Sequence, residues 1–326
     1  MNRRDAVFAG LAAGAVPLAA LAQSGGPVRR IGFLGRASAQ TDAPFLAAFR
    51  AGMAELRWVE GRDYVIDARF ANGAMQTVPG LAAELVATRP DVLLVPTEGT
   101  ARLLAASTKT IPIVFALAQD PVGSGMAASL RQPGGNLTGL SAMTTELWPK
   151  RVQLLKEAFP RVAHVGLVFA PSDVGSVSQS RAIEAAAPSM GLRVTPMAWD
   201  QPADLAPAFK RAAALGVQAY LVTFEGHSNN QRQAIADLIL DLKVPSMFAF
   251  GSYVESGGLM SYAASSSDNF RRAAGYVDKI LKGEKPGDLP IEQPTRFECV
   301  VNLKSAKSMG LKIPDAFLIR VDRVIE

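Results

Sequence analysis

Hydrophobic positions along the chain fall into two alternating patterns: short apolar runs, and stretches where apolar residues recur every three or four positions. Ile31-Gly32-Phe33-Leu34 predicts a buried strand, and Phe45, Leu46, Phe49, Met53 and Leu56 follow at helical spacing. Residues 64–70 read as a second strand, with Val65, Asp67 and Arg69 alternating, and Leu81, Leu85 and Val86 mark the next helix. Residues 91–95 and 111–115 predict a third and a fourth strand. Strands alternating with amphipathic helices predict an α/β fold, a doubly wound parallel sheet with helices on both faces.

The second half repeats the plan. His164-Val165-Gly166-Leu167-Val168-Phe169 echoes Arg30-Ile31-Gly32-Phe33-Leu34. Leu221-Val222-Thr223-Phe224-Glu225-Gly226 echoes Leu94-Val95-Pro96-Thr97-Glu98-Gly99, and Val244-Pro245-Ser246-Met247-Phe248-Ala249 echoes residues 111–116. Three matches in one order, each after a helix-sized gap, predict two lobes of similar topology joined by a hinge of crossing segments. The turn-rich stretch Gln132-Pro133-Gly134-Gly135-Asn136-Leu137-Thr138-Gly139 predicts the first crossing, and residues 251–258 and 286–294 the second and third. Residues 268–281 form a helix expected to return to the first lobe, with Phe270, Ala274, Val277 and Leu281 on one face. The resulting division is 28–138 plus 251–294 for lobe 1 and 139–250 plus 295–326 for lobe 2.

Length suits this division, because 326 residues exceed one ordinary domain. The N-terminus changes the picture further. Arg3-Arg4 precedes an apolar stretch from Val7 to Leu21, and Ala20-Leu21-Ala22 supplies a small-x-small cleavage site before Gln23. The stretch is short for a membrane span and contains Gly10, Gly14 and Pro17, so residues 1–22 read as a cleaved export signal to the periplasm. The paired arginines leave Sec and twin-arginine routes both open. The net charge of +5, or +4 once Arg3, Arg4 and Asp5 are gone, is spread without a dense Lys/Arg run, which argues against nucleic acid as a partner. The single cysteine, Cys299, excludes an intrachain disulfide, and its neighbours Phe297, Val300 and Val301 predict a buried strand thiol.

In open parallel sheets, ligands bind beyond the carboxyl ends of the strands, where helix N-termini offer free N–H groups. Those positions hold Arg36, Ser38, Thr97, Glu98, Thr100, Gln119 and Asp120 in the first lobe. The second lobe offers Ser172, Asp173, Glu225 and Ser228, with Tyr253 at a crossing. Hydroxyl and amide groups suit a carboxylate, while Glu98, Asp120 or Glu225 could hold an ammonium, a combination that fits an amino-acid-like ligand. The alternative role for Ser, Thr and Asp in such loops is to cap helices. Catalytic constellations do not assemble. The chain has two histidines, His164 opening a strand and His227 after Glu225-Gly226, too few for a metal site, and it has neither a nucleophile elbow nor a phosphate loop. The expectation is a binder without catalytic residues, cofactor or metal.

The ordered motifs resemble the ABC-transporter substrate-binding family typified by tryptophan/tyrosine-type binding proteins, with the type I periplasmic-binding-protein fold. The resemblance rests on Arg30-Ile31-Gly32-Phe33-Leu34, Trp58-Val59-Glu60-Gly61-Arg62-Asp63, Leu81-Ala82-Ala83-Glu84-Leu85-Val86 and Thr110-Ile111-Pro112-Ile113-Val114-Phe115. It continues through Asp120-Pro121-Val122-Gly123, residues 132–139, Gly257-Gly258-Leu259-Met260-Ser261-Tyr262 and Val300-Val301-Asn302-Leu303-Lys304. It implies a monomeric protein whose lobes close on a small molecule and then dock on ABC permease subunits, the loops at Ser38, 97–100, 119–120, 172–173 and 225–226 lining the cleft. The chain departs from the family where Pro96-Thr97-Glu98-Gly99-Thr100 and Thr223-Phe224-Glu225-Gly226 bring carboxylates into loops that usually lack them. Those acids favour a cationic or amine-bearing ligand. The alternative is a periplasmic ligand-sensing protein that partners a membrane sensor, whose soluble part would read the same.

Overall fold

The computed structural model describes residues 27–224 and 226–326; the predicted leader and Glu225 lie outside the described residues. The first sheet is built by β1 (Arg29–Gly35), β2 (Tyr64–Phe70), β3 (Val92–Thr97), β4 (Ile113–Ala118) and β5 (Leu137–Ser141). Their spatial order is β2-β1-β3-β4-β5, every pairing parallel. Between them run α1 (Ala39–Glu55), α2 (Val78–Ala87) and α3 (Glu98–Ser107). The sheet is buried on both faces, which explains why its strands read as continuous apolar runs.

The second sheet follows from α4 (Trp148–Ala158), β6 (His164–Phe169), α5 (Val174–Ala186), β7 (Arg193–Ala198), α6 (Pro202–Ala214) and β8 (Ala219–Val222). It continues through α7 (Gly226–Asn230), α8 (Arg232–Leu242), β9 (Ser246–Phe248), α9 (Gly251–Glu255) and β10 (Met260–Ala264). The chain then leaves as α10 (Ser266–Leu281) and returns as β11 (Phe297–Asn302), α11 (Leu303–Met309), α12 (Asp315–Leu318) and β12 (Arg323–Ile325). The strand order is β12-β11-β10-β9-β8-β6-β7, with β11 antiparallel to β10. Strands β7-β6-β8-β9-β10 reproduce the order β2-β1-β3-β4-β5. The sequence echoes between residues 30–34 and 164–169, and between the third and fourth strands of each half, are therefore topological equivalents.

The crossings differ from expectation. Residues 132–136 form a loop before β5, which still belongs to the first sheet, so the chain crosses at 142–147. Gly139 in β5 has φ +150°, and a Cβ there would stand 2.0 Å from the Phe115 carbonyl oxygen of β4, so only glycine permits this close pairing. Residues 251–264 join the second lobe instead of the first. Met260 pairs with Met247 and Val301, and Tyr253 is fully buried in that lobe's core. The second crossing is Ser265, whose hydroxyl caps α10 by accepting the Asp268 N–H. As expected, α10 packs on the first sheet beside α1, burying Phe270, Ala274 and Val277. Residues 286–292 lie along β5, with the Ile291 N–H bonded to the Leu130 carbonyl and the Ser141 N–H to the Glu292 carbonyl. The third crossing is thus 293–296, and the Ser265 N–H donates to the Arg296 carbonyl, joining the second and third crossings.

The first lobe has a core on each face of its sheet. Phe33, Phe49, Met53 and Phe270 lie under α1 and α10, while Leu34, Leu85, Val95 and Leu104 lie under α2 and α3. Leu56, read from periodicity as part of the α1 stripe, is 39% exposed because the helix has ended by then. Gly52 lets α10 approach, since a Cβ there would meet the Arg271 carbonyl oxygen at 2.2 Å. Cys299 is buried in β11, as expected, and burial pushes its thiol up to about 12. His164 is also buried at a strand start, its Nε2 2.7 Å from the Thr195 hydroxyl and its Nδ1 2.8 Å from Arg193 Nη2.

Candidate functional site

The carboxyl ends of the two sheets face each other. A Cβ at Gly175, in the first turn of α5, would stand 3.3 Å from the Gln119 side-chain oxygen. Gln119 follows β4 in the first lobe, so its side chain spans the cleft to a helix N-terminus of the second.

Helix capping accounts for several of the expected site residues. Ser38 caps α1 by accepting the Thr41 N–H, Thr97 caps α3 through the Thr100 N–H, and Asp173 caps α5 through the Ser176 N–H at 2.7 Å. Thr100 is buried, with its hydroxyl 3.1 Å from that of Thr97. Ser172 gives its backbone N–H and hydroxyl to Asp200 Oδ1, a brace at the second lobe's rim. Asp120 accepts the Gly123 N–H at 2.8 Å and closes a turn over 121–125. Glu98 accepts the backbone N–H groups of Gln119 and Asp120, both at 3.1 Å, and lies 3.9 Å from Arg102. Its carboxylate therefore holds the loop after β4 onto the start of α3. Arg36 lies beside this corner, its guanidinium 3.2 Å from Met75 Sδ.

Ser228 and Tyr253 lie below the cleft surface. Their hydroxyls are 2.6 Å apart, both residues are buried, and the Ser228 hydroxyl donates to the Thr223 carbonyl. Tyr253 sits in α9 and not at a crossing, because 251–264 belongs to the second lobe. Above it lies an aromatic cluster: Tyr253 stacks on Phe248 at 5.0 Å, and Phe224 tilts against Phe250 at 4.3 Å. The backbone of Phe224, the residue after Thr223 at the end of β8, is clamped by Gln179. Gln179 Oε1 accepts the Phe224 N–H and the Trp148 indole N–H, while Nε2 donates to the Phe224 carbonyl at 2.7 Å.

Several site residues escaped the sequence reading. Gln179 and Trp148 sit on helix faces and offered no loop signal. Arg151 is wholly buried and donates to the carbonyls of Thr144, Ala249 and Tyr262, tying the first crossing to the second sheet. Its guanidinium lies 4.8 Å over the Trp148 ring. Asn269, in the first turn of α10, donates to the carbonyls of Ala116 and Ser141 at the tops of β4 and β5. Asp42, in the first turn of α1, is 4% exposed and bonded to no cation among the described residues. Asp42 did carry a signal: with Leu46, Phe49 and Met53 it makes a stripe that places a carboxylate on the buried face of α1. No group of three or more His, Cys, Asp or Glu side chains capable of holding a metal occurs among the described residues, and no helix among them is long and apolar enough to cross a membrane.

Two lobes of one topology, joined by three crossings and facing each other through their strand ends, define a ligand-binding protein of the two-lobed type. The sequence pattern described as ABC transporter substrate binding protein matches residues 45–325, and the chain belongs to that family. It is 22% identical over 253 residues to the tyrosine-binding protein of Clostridioides difficile (strain R20291), a match covering 78% of this chain and 72% of that one. The fold is similar to the ABC domain in complex with L-Trp from Streptococcus pneumonia, at TM-score 0.81 and 26% identity over 91% of this chain and 100% of that chain. A conserved domain protein from Vibrio cholerae superposes at TM-score 0.79 with 27% identity, covering 91% and 99%. A ligand-free, open substrate binding protein with adhesive properties from Clostridium difficile shares the fold at TM-score 0.72 and 21% identity, covering 91% and 99%.

Proposed function

We propose that the protein is the exported substrate-binding component of an ABC importer, capturing an amino-acid-like ligand between its lobes and delivering it to membrane permease subunits. It acts by binding and closure, without a catalytic step. The observation that carries this reading is the opposed pair of strand-end surfaces, with Gln119 of one lobe against Gly175 of the other. A ligand that touches both lobes favours the closed arrangement by the difference in its affinity for the two states. Aromatic rings lie at the strand ends of both halves. In the first the partly buried Phe45 stacks on the core ring of Phe270 at 5.2 Å, and in the second the partly buried Phe224 meets the core ring of Phe250, so Phe45 and Phe224 are the rings left to face a ligand. Such surfaces suit the flat side chain of an aromatic amino acid, and relatives bind tyrosine and tryptophan.

The residues proposed to line the cleft are Gln119 and the capped turns around Ser38, Thr97 and Asp173, with the Phe224 loop as the second-lobe floor. Glu98, Asp120 and Ser172 hold those turns in shape. The cleaved export signal at residues 1–22, by the Sec or the twin-arginine route, and the periplasmic location belong to the same proposal. The test is a thermal-shift screen of the chain from about Gln23 against amino acids, amines, carboxylates, sugars and nucleosides, followed by X-ray scattering. A ligand at a hundredfold excess over its Kd stabilises the protein by about 2.7 kcal/mol. A class-specific shift with a smaller radius of gyration supports capture and closure; no shift with any class, or an unchanged radius at saturation, counts against them.

A further inference from the structure

Of the acids first considered for a ligand ammonium, Glu98 and Asp120 are occupied by backbone N–H groups. Asp42 is not. Its Oδ2 is buried without a hydrogen-bond partner, and the carboxyl folds over the carboxyl end of β1, where a Cβ on Gly35 would stand 2.1 Å from Oδ2. The other neighbours of that point are the Phe33 and Phe70 rings, at 3.0 and 3.1 Å, which supply no donor. Burial without compensation pushes the carboxyl up to about 6.

A second orphan lies on the neighbouring helix. Asn269 is fully buried, and its amide NH2 must face the Ala116 and Ser141 carbonyls, so its Oδ1 is fixed as an acceptor, and that atom has no donor. The adjacent Asp268 Oδ2 is also buried and unpartnered. One turn beyond Asp42, Phe45 stacks on Phe270, the residue after Asn269, so the first turns of α1 and α10 come together at the strand ends of one sheet face. Native proteins rarely leave buried acceptors unpaired, and here three lie on one face of the first sheet, Asp42 over β1 and Asn269 two strands away over β4 and β5. All accept and none donates. The natural complement of Asp42 is a cation bearing N–H groups, because a hydroxyl would leave the carboxylate charge uncompensated.

We propose that Asp42 receives the primary ammonium group of the ligand, making a protonated amine the specificity-determining feature of the molecule captured. This assignment rests on the capture reading above. An amine entering the site would give the Asp42 carboxylate its counter-ion, while Phe45 and the Phe224 cluster would hold an apolar body.

The test is isothermal titration of the chain from about Gln23 with L-tryptophan, L-tyrosine, tryptamine, tyramine and the deaminated acids indolepropionate and hydroxyphenylpropionate, for wild type and Asp42→Asn. The expected result is binding by amine-bearing members, loss of affinity on deamination, and a weakening of roughly tenfold or more in Asp42→Asn. Far-UV circular dichroism and unfolding curves establish that the variant is folded, and the deamination series on wild type needs no variant at all. Deaminated acids that bind as well as the amino acids, or a folded Asp42→Asn with unchanged affinity, would overturn the assignment while leaving the capture reading in place. Binding of sugars or nucleosides and of no amine would do the same. Failure of every class to bind wild type would overturn both.

Discussion

Asp42→Asn should make the unliganded protein more stable, and the gain should depend on pH in one direction. The carboxyl is raised from 3.8 to about 6 by burial, with no cation paired to it among the described residues. Below the unfolded value the group is protonated in both states and costs nothing. Between about 4 and 6 the unfolded chain ionises while the folded one resists, so folding stability falls as pH rises through this window. Above about 6 the full cost is present. A displacement of about two pKa units is worth about 3 kcal/mol as an upper bound, at roughly 1.4 kcal/mol per unit. The near-isosteric amide removes the charge, so its advantage should be greatest at pH 7–8, at most ~3 kcal/mol, and vanish near pH 4. Urea unfolding of both proteins at pH 4, 5, 6, 7 and 8, without ligand, reads this out. A variant no more stable than wild type at pH 7, or a gain independent of pH, would refute the reasoning. Combined with weakened amine binding, greater stability would mark a residue kept for function against the interest of the fold.

Gly52→Ala should destabilise by about 1–3 kcal/mol despite alanine's better helix propensity, because its Cβ must displace the Arg271 backbone of α10; thermal unfolding measures it. Glu98→Ala should cost about 1–3 kcal/mol by stripping the acceptor from the Gln119 and Asp120 N–H groups, and amide exchange at those two residues should rise. Cys299 should resist iodoacetamide at pH 8 until the protein is unfolded in guanidinium, since its thiol is buried and pushed up to about 12; rapid labelling of the native protein would contradict the buried β11 assignment.

Chain-local pattern was enough to read the α/β alternation, the two-lobed repeat, the return of α10 to the first lobe and the buried strand thiol. Each depends on periodicity that survives in a one-dimensional string: continuous apolar runs for strands covered on both faces, and Phe270, Ala274 and Val277 at helical intervals on α10. The positions of the crossings needed tertiary structure, because β5 and β10 are five-residue strands whose sheet is chosen by partners far away in sequence. Met260 pairs with Met247 and Val301, and nothing near residue 260 announces this. The site divides in the same way. Strand-end loops located the cleft, but whether a polar side chain there is free or engaged depends on distant backbone: Glu98 is taken by residues 119 and 120, and Ser172 by Asp200. Asp42 and Asn269 were hidden in helical stripes, and only the packing of α1 on β1 and of α10 on β4 and β5 left Asp42 Oδ2 and Asn269 Oδ1 without donors. Sequence by itself determined which segments are apolar, and hence the elements and their repetition. Tertiary structure alone decided which polar atoms were left unsatisfied, because hydrogen-bond saturation is a property of neighbours in space.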